Sequence, residues 1–139
     1  MKNAVTVCID SLIDGERIYQ EGPGEYSLRS DGTHWIAYTD YSGNMVTRCG
    51  FFADKHVLLL HRTGAIEGDM LFDPASLTSS RYQSFGLESV FSVKTDEYQI
   101  EEYGAAVVIR LSYELIDSAG ETISNVQMTI KTVADLMSK

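Results

Sequence analysis

The chain has 139 residues and a formal net charge of -9, and 44% of its residues are hydrophobic while 22% are charged. This length fits one domain with its own apolar core, and the composition excludes a disordered chain. No apolar run is long enough to cross a bilayer as a helix. We therefore expect a single domain over residues 1–139.

The acidic balance also bears on partners and location. A negative surface repels nucleic-acid phosphates and anionic lipid headgroups, so neither nucleic acid nor a membrane is an expected partner. Cys8 and Cys49 are not in a C-x-x-C spacing. They are typical of small core or surface residues in a reducing compartment, although a disulfide between them remains an alternative. The first ten residues lack the pattern of a secretory signal, so the expected location is cytoplasmic.

The first half of the chain predicts strands by its period-two alternation of apolar and polar residues. Val5, Val7 and Ile9 share one face of the first strand. Asp31-Gly32 predicts a tight hairpin turn, because both residue types tolerate a positive φ. Residues 57–60 are apolar on both faces, which predicts a strand covered on both sides by a loop or a partner chain.

The second half continues the pattern. Leu87, Phe91 and Val93 alternate with polar residues, and a long strand at 105–117 has Val107 and Tyr113 on its apolar face. A turn at 118–120 joins it to a strand at 125–131, so the two form a hairpin. The tail at 133–137 is the one stretch that favours a helical turn or two.

Ten turn signals at short intervals predict about ten strands, without the long helical patterns that a parallel sheet needs. Antiparallel strands in a single chain remove their exposed edges when the sheet closes. The predicted fold class is therefore all-β, an antiparallel up-and-down barrel of eight to ten strands.

Several runs of residues are similar to those of a known family. They are HRTGA at 61–65, MLF at 70–72, RYQSFGLE at 81–88, VKT at 93–95, WIAYTD at 35–40, RLSY at 110–113 and NVQMTI at 125–130. Their order and spacing resemble the YwiB-like family of uncharacterised bacterial proteins, which resemble the calycin, or lipocalin-like, barrels. The resemblance covers about residues 4–131 and so implies a core there and a short tail at 132–139. The resemblance implies a lipocalin-like barrel in a small cytoplasmic protein, and it implies no substrate, activity or catalytic residue.

Arg62 is the first candidate for a ligand-binding residue. It follows an apolar strand, so if Leu58 and Leu60 face inward, Arg62 does too. A guanidinium in a barrel can bind a carboxylate or phosphate through two hydrogen bonds. The alternative is an arginine that plugs one end of the barrel through backbone carbonyls or tyrosine rings.

Four aromatic residues are further candidates for the ligand site. Tyr38, Tyr82 and Tyr113 can each give a pocket an apolar wall and one hydroxyl group. They can equally be core residues with satisfied hydroxyls. Trp35 shares a face with Ala37 that lies either inside the barrel or outside at a dimer contact.

The sequence offers no catalytic, metal or cofactor motif. His56 and His61 point to opposite faces of one extended strand, which is poor geometry for zinc. Ser84, His61 and Asp69 are the residue types of a catalytic triad, but the sequence around the serine does not predict a nucleophile elbow, so we do not expect them to form one. The glycines of Gly22-Pro23-Gly24 lack the helix that a dinucleotide fingerprint requires.

The sequence therefore supports two leading hypotheses for the function. One is a non-enzymatic barrel that binds a small apolar or anionic ligand through Arg62 and the aromatic residues. The other is a barrel filled by side chains that acts as a protein-interaction module and homodimer. An enzyme is the third possibility, and it requires titratable groups with strongly shifted pKa values in a cleft.

Overall fold

The computed structural model describes residues 2–39, 45–52, 57–103 and 106–134. Ten antiparallel strands form a closed barrel, in which each strand pairs with its neighbours in sequence and the first pairs with the last. The strands are β1 (Lys2–Ile13), β2 (Glu16–Leu28), β3 (His34–Thr39), β4 (Met45–Phe51), β5 (Leu58–Gly64), β6 (Ile66–Phe72), β7 (Thr78–Ser84), β8 (Leu87–Tyr103), β9 (Ala106–Ile116) and β10 (Thr122–Ala134). The predicted all-β up-and-down barrel is confirmed, with ten strands.

Alternation within each strand decides which side chains fill the barrel. Val5, Val7 and Ile9 of β1 are buried, as are Leu58 and Leu60 of β5. The intervening residues of β1 are half-buried or exposed, as expected for a sheet with one dry and one wet face. The predicted inward faces of these strands are confirmed.

The predicted hairpin between β9 and β10 is also confirmed. Leu111 pairs with Met128 across it, and Gly120 takes a positive φ of 85° in the turn. Asp117 holds the turn because its side chain accepts hydrogen bonds from the backbone N–H groups of Ala119 and Glu121. A carboxylate that accepts two backbone donors fixes the loop conformation.

One bulge changes the inward face within β8. The pairing of β8 with β9 shifts between Thr95 and Glu97. Before it, Val93 and Thr95 are buried inside the barrel, and after it Tyr98 and Ile100 pack against the core. A bulge inserts one residue and so reverses the parity of the strand that follows.

Large side chains fill one half of the barrel. Phe51, Phe72, Ile36 and Leu58 are almost completely buried there. At this end the ring of His34 stacks on Phe51 with centroids 4.6 Å apart, and its Nδ1 lies 2.6 Å from Tyr26 Oη. Tyr98 Oη donates a hydrogen bond of 3.2 Å to the Val57 carbonyl oxygen. Aromatic rings and strand-linking hydrogen bonds therefore occupy this half.

Some local expectations differ from the structure. Val133 and Ala134 belong to β10 and pair with β1, so they are extended and not helical. The strand extends because β1 provides a pairing partner for each of these residues, Thr6 for Val133 and Val5 for Ala134. Just before them, buried Thr132 Oγ1 accepts a hydrogen bond of 2.8 Å from the Val107 N–H. The turn at Asp31-Gly32 is part of a five-residue loop, 29–33, in which Gly32 has the expected positive φ.

Cys8 and Cys49 are both free thiols. Cys49 is buried inside the barrel and Cys8 faces outward from β1, so the alternative of a disulfide is wrong. Three of the ten turn signals, those at residues 42–44, 54–55 and 104, lie outside the described residues, as do His56 and the tail from 135 onward. Within the described ranges the structure has no helix with the length and apolarity that a membrane crossing requires.

Candidate functional site

The other half of the barrel contains a cavity of about 600 Å³. Its lining includes Tyr38, Arg62, Tyr82 and Tyr113, four of the five residues that the sequence analysis proposed. Residues next to the β1–β2, β7–β8 and β9–β10 turns also line it, so the cavity opens at that end of the barrel. A cavity of this size fits a small organic molecule. The barrel is thus filled in one half and hollow in the other.

A row of mostly polar residues runs from strand to strand along the inner face of the barrel, at the floor of the cavity. Successive strand pairings place Tyr38 opposite Thr47, and Thr47 opposite Arg62. Arg62 is then opposite Gly68, and Gly68 is opposite Tyr82. Residues that are directly opposite on one face have neighbouring side chains. Five consecutive strands therefore bring one guanidinium, two phenols and one hydroxyl together on the inner face.

Gly68 makes room for the Tyr82 ring within this row. A Cβ atom at Gly68 would lie 2.2 Å from Tyr82 Cδ1 and 2.6 Å from the Arg81 carbonyl oxygen. No real Cβ tolerates such distances, so the ring lies over the bare backbone of β6. Phe91 supports the ring from the other side by an edge contact, with centroids 5.6 Å apart. Glycine inside a strand marks a close approach of this kind.

Several polar atoms of the row are buried without a partner. Arg62 Nε, Tyr82 Oη and Thr47 Oγ1 have no hydrogen bond of ordinary geometry, and the polar interactions left to them are weaker ones within the row, between Arg62 and the two tyrosines and between Thr47 and Tyr38. Among the residues that the structure describes, no carboxylate forms an ion pair with Arg62. Buried polar groups are normally satisfied, so each exception requires an explanation.

The tyrosines of the cavity remain protonated at neutral pH. Burial raises the pKa of the Tyr113 hydroxyl to about 12. Burial also raises the pKa values of Tyr38 and Tyr82. Hydrogen bonding to Thr47 opposes the rise for Tyr38, and the charge and hydrogen bonding of Arg62 oppose it for both. Burial raises the pKa of the Cys49 thiol to about 12. These groups are therefore neutral, and the phenols are available as hydrogen-bond donors.

Mainly apolar side chains form the wall between the floor and the mouth, together with five neutral polar ones, Ser11, Gln20, Ser84, Ser89 and Ser124. Near the mouth the cavity is lined by Ile13, Ile18, Leu115, Leu87 and Phe85. Arg62 is the one charged side chain among the described residues that line the cavity. The site therefore combines a cationic floor with an apolar wall.

Trp35 does not line this cavity, in contrast to its proposed role in the ligand site. Its ring lies on the outer face of the barrel, where a Cβ at Gly50 would be 2.7 Å from it. The Arg29 guanidinium lies 4.7 Å from the ring centroid, and Trp35 Nε1 donates a hydrogen bond to Thr33 Oγ1. The inward positions of β3 are taken by its neighbours Ile36 and Tyr38. Successive residues of a strand face opposite sides, so Trp35 must face outward.

Other combinations of reactive side chains are separated by the barrel wall. His61 and Asp69 are hydrogen-bonded to each other on the outer face, whereas Ser84 lines the cavity inside. Within the described part of the chain, no group of three or more His, Cys, Asp or Glu side chains is placed to hold a metal ion.

The sequence analysis missed three parts of the site, namely Thr47, Gly68 and the apolar mouth with Phe85. Thr47 and Gly68 acquire their roles only from the pairing of β4, β5, β6 and β7. The one signal available in the sequence is a glycine, Gly68, within a run that otherwise reads as a strand.

A family model described as a domain of unknown function, DUF1934, matches residues 5–130. The chain belongs to the DUF1934 family. The DUF1934 chain is similar in structure to the YwiB protein from Bacillus subtilis, with a TM-score of 0.81 and 19% sequence identity over 96% of this chain and 93% of that chain. The expected relationship to YwiB is thereby confirmed, and at this identity the likeness shows the fold alone.

A second structure, of a protein of unknown function from Bacteroides ovatus, gives a TM-score of 0.35 at 13% identity over 99% of this chain and 42% of that chain. A likeness this weak carries no structural argument. A search of the curated proteins found no match.

Proposed function

We propose that this DUF1934 protein is a non-enzymatic binding protein for a small, largely apolar molecule that carries one negative charge. The observation that carries the proposal is the buried Arg62 Nε without a partner at the floor of an apolar cavity. The Arg62 side chain as a whole is half-buried, and a partly desolvated guanidinium without a counter-charge among the described residues is stabilised by an anionic ligand.

The surroundings of Arg62 favour an anion over a neutral ligand. Tyr38 and Tyr82 are close enough for the guanidinium to oppose the rise of their pKa values, and both stay protonated at neutral pH. Tyr82 Oη makes no hydrogen bond of ordinary geometry, and its hydrogen-bonding interaction is a weaker one with Arg62 itself. A carboxylate accepts several hydrogen bonds and has no proton to donate, so it matches a cation flanked by hydroxyl donors.

The number of charges limits the ligand to a monoanion. One guanidinium is the whole positive charge among the described lining residues. A dianionic group would leave one buried negative charge uncompensated, which is unfavourable in an apolar cavity. The apolar wall provides the remaining binding energy in proportion to the area that the ligand buries.

Isothermal calorimetry with decanoate and decanol tests this function, because the two probes have the same chain and differ in charge. We expect wild-type protein to bind decanoate at least about tenfold more tightly than decanol, since a charge-assisted hydrogen bond contributes roughly 1.5–3 kcal/mol. Arg62→Met should remove the preference, whereas Arg48→Met, on the outer face of the neighbouring β4, should keep it. Equal affinity of wild-type protein for both probes, or binding of neither, contradicts the proposal.

A homodimer that forms through the outer face is a second candidate function. Strand pairing places Trp35, Gly50, Leu59 and Leu71 in one row outside the barrel. An apolar row with a tryptophan is typical of the centre of a protein interface. Native mass spectrometry of gently purified protein tests both the bound ligand and the homodimer, because it reports the bound mass and the number of subunits together. A dimer that Trp35→Ser converts to a monomer supports this candidate, and a wild-type monomer contradicts it.

A further inference from the structure

The turn between β7 and β8 holds a residue that suits neither its backbone nor its surroundings. Phe85 and Gly86 form a two-residue hairpin loop, with φ values of 52° and 76°. Two positive φ values indicate a type I′ turn, which favours Asn or Asp followed by Gly. The same barrel uses that pair in the β1–β2 turn, where Asp14 and Gly15 have φ values of 50° and 88°. A bulky residue in the left-handed region is strained, so the turn itself does not select phenylalanine.

Packing within the chain does not select it either. The Phe85 side chain is 92% exposed, and the neighbouring Leu87 is 74% exposed. Both nevertheless line the cavity at its mouth. A strained and unburied aromatic residue at the mouth of a mainly apolar cavity points to a contact that is made only in the complex.

Resting on the proposed function, we propose that the ligand is a straight-chain amphiphilic monoanion, bound with its charged group on Arg62 and its apolar tail directed to the mouth, where Phe85 covers the tail and sets the preferred chain length. The one charged side chain of the described lining, Arg62 at the floor, fixes this orientation. In the opposite orientation the guanidinium would face hydrocarbon without a counter-charge, and the ligand would lose its charge-assisted hydrogen bonds to Arg62.

The contact with Phe85 also accounts for its exposure. A phenylalanine side chain buries a large apolar area when covered, and a tail that emerges at the mouth provides the partner surface. A ligand too short to reach the mouth does not touch the ring. The effect of Phe85 on affinity should therefore appear only above a certain chain length.

The test is calorimetric titration of straight-chain alkanoates from butanoate to tetradecanoate against wild type, Phe85→Asn and Arg62→Met. In wild type we expect affinity to rise about fourfold for each methylene buried, up to the length that reaches Phe85. Phe85→Asn should bind the short members within about twofold of wild type and lose about tenfold for the longest. Arg62→Met should bind every alkanoate more weakly than wild type, by about the same factor at each chain length.

Three further measurements test the turn strain, the specificity for Phe85 and the charge of the ligand. Asn suits the turn, so the urea midpoint of Phe85→Asn should equal or exceed that of wild type, and a fall would overturn the strain argument. Leu77→Asn removes another exposed apolar side chain, from the β6–β7 loop at the opposite end, and should leave all affinities unchanged. An alkyl phosphate should bind more weakly than the alkanoate of equal length, and tighter binding would overturn the monoanion.

The two proposals fail in different ways. The proposed function is wrong if wild type binds no alkanoate, or if Arg62→Met binds every alkanoate as tightly as wild type does. If Arg62→Met loses affinity but Phe85→Asn matches wild type at every length, the cavity binds anions and the role of Phe85 is wrong.

Discussion

Replacement of Gly68 by Ala tests the packing that holds Tyr82 beside Arg62. The added methyl would meet the Tyr82 ring at 2.2 Å and the Arg81 carbonyl oxygen at 2.6 Å. Overpacking of this kind costs about 1–3 kcal/mol, and the loss of chain entropy in the unfolded state returns about 0.4–1 kcal/mol. We expect Gly68→Ala to lower the free energy of unfolding by about 1–2 kcal/mol, which shifts a urea midpoint by roughly 0.5–1 M.

Gly22→Ala is the matched control, because a Cβ there would make an ordinary contact of 3.6 Å with the Thr39 carbonyl oxygen. It should leave stability unchanged or raise it by about 0.5 kcal/mol. In a Tyr82→Ala background the clash with the ring disappears, so the cost of Gly68→Ala should fall by about 1 kcal/mol. The reasoning is refuted if Gly68→Ala is no worse than Gly22→Ala, or if its cost does not depend on Tyr82.

Arg62→Met should leave the unfolding free energy of ligand-free protein unchanged or raise it by about 1 kcal/mol, because it removes a buried nitrogen, Nε, that has no hydrogen bond of ordinary geometry. A loss above about 1 kcal/mol in urea unfolding would instead identify Arg62 as a residue that plugs the barrel and stabilises it. Iodoacetamide should modify Cys8 in the native protein and Cys49 only after unfolding, since Cys49 is buried with a pKa of about 12, and mass spectrometry showing equal rates would contradict this burial. The pKa of Tyr113 is raised from 10.0 to about 12, so its contribution to stability is complete below pH 10 and is lost as the pH rises toward 12. Over that interval wild type should lose up to about 2–3 kcal/mol more unfolding free energy than Tyr113→Phe, and equal losses in denaturant titrations would show that Tyr113 is not buried.

The fold follows closely from local pattern. Alternation in β1, β9 and β10 identifies the inward faces, because one face of each strand is apolar and the other polar. Parity links Arg62 to Leu58 and Leu60, so Arg62 lies inside the barrel once those two are known to face inward, but residues 57–60 are apolar on both faces and do not themselves decide which face that is. Parity gives no answer for Trp35, since Trp35 and Ala37 on one face are as apolar as Ile36 and Tyr38 on the other.

The composition of the site depends on contacts that the sequence does not encode locally. Tyr38, Thr47, Arg62, Gly68 and Tyr82 meet because five strands pair in one register, and that register is set by all the turns and pairings between them. The bulge in β8 is a second example of non-local structure. Its reversal of parity depends on pairing with β9, so alternation along β8 alone does not reveal it.

The closure of the barrel has a consequence for the order of folding during synthesis. The final pairing joins β1 to β10, with Val5 opposite Ala134 and Ile13 opposite Val126. Synthesis proceeds from the N-terminus, so β1 waits for its second partner until β10 has left the ribosome. Until then β1 and β9 present open edges, which are the surfaces through which strands of different chains associate. The interval between the emergence of β9 and of β10 is therefore the period in which a nascent chain of this fold is most exposed to aggregation.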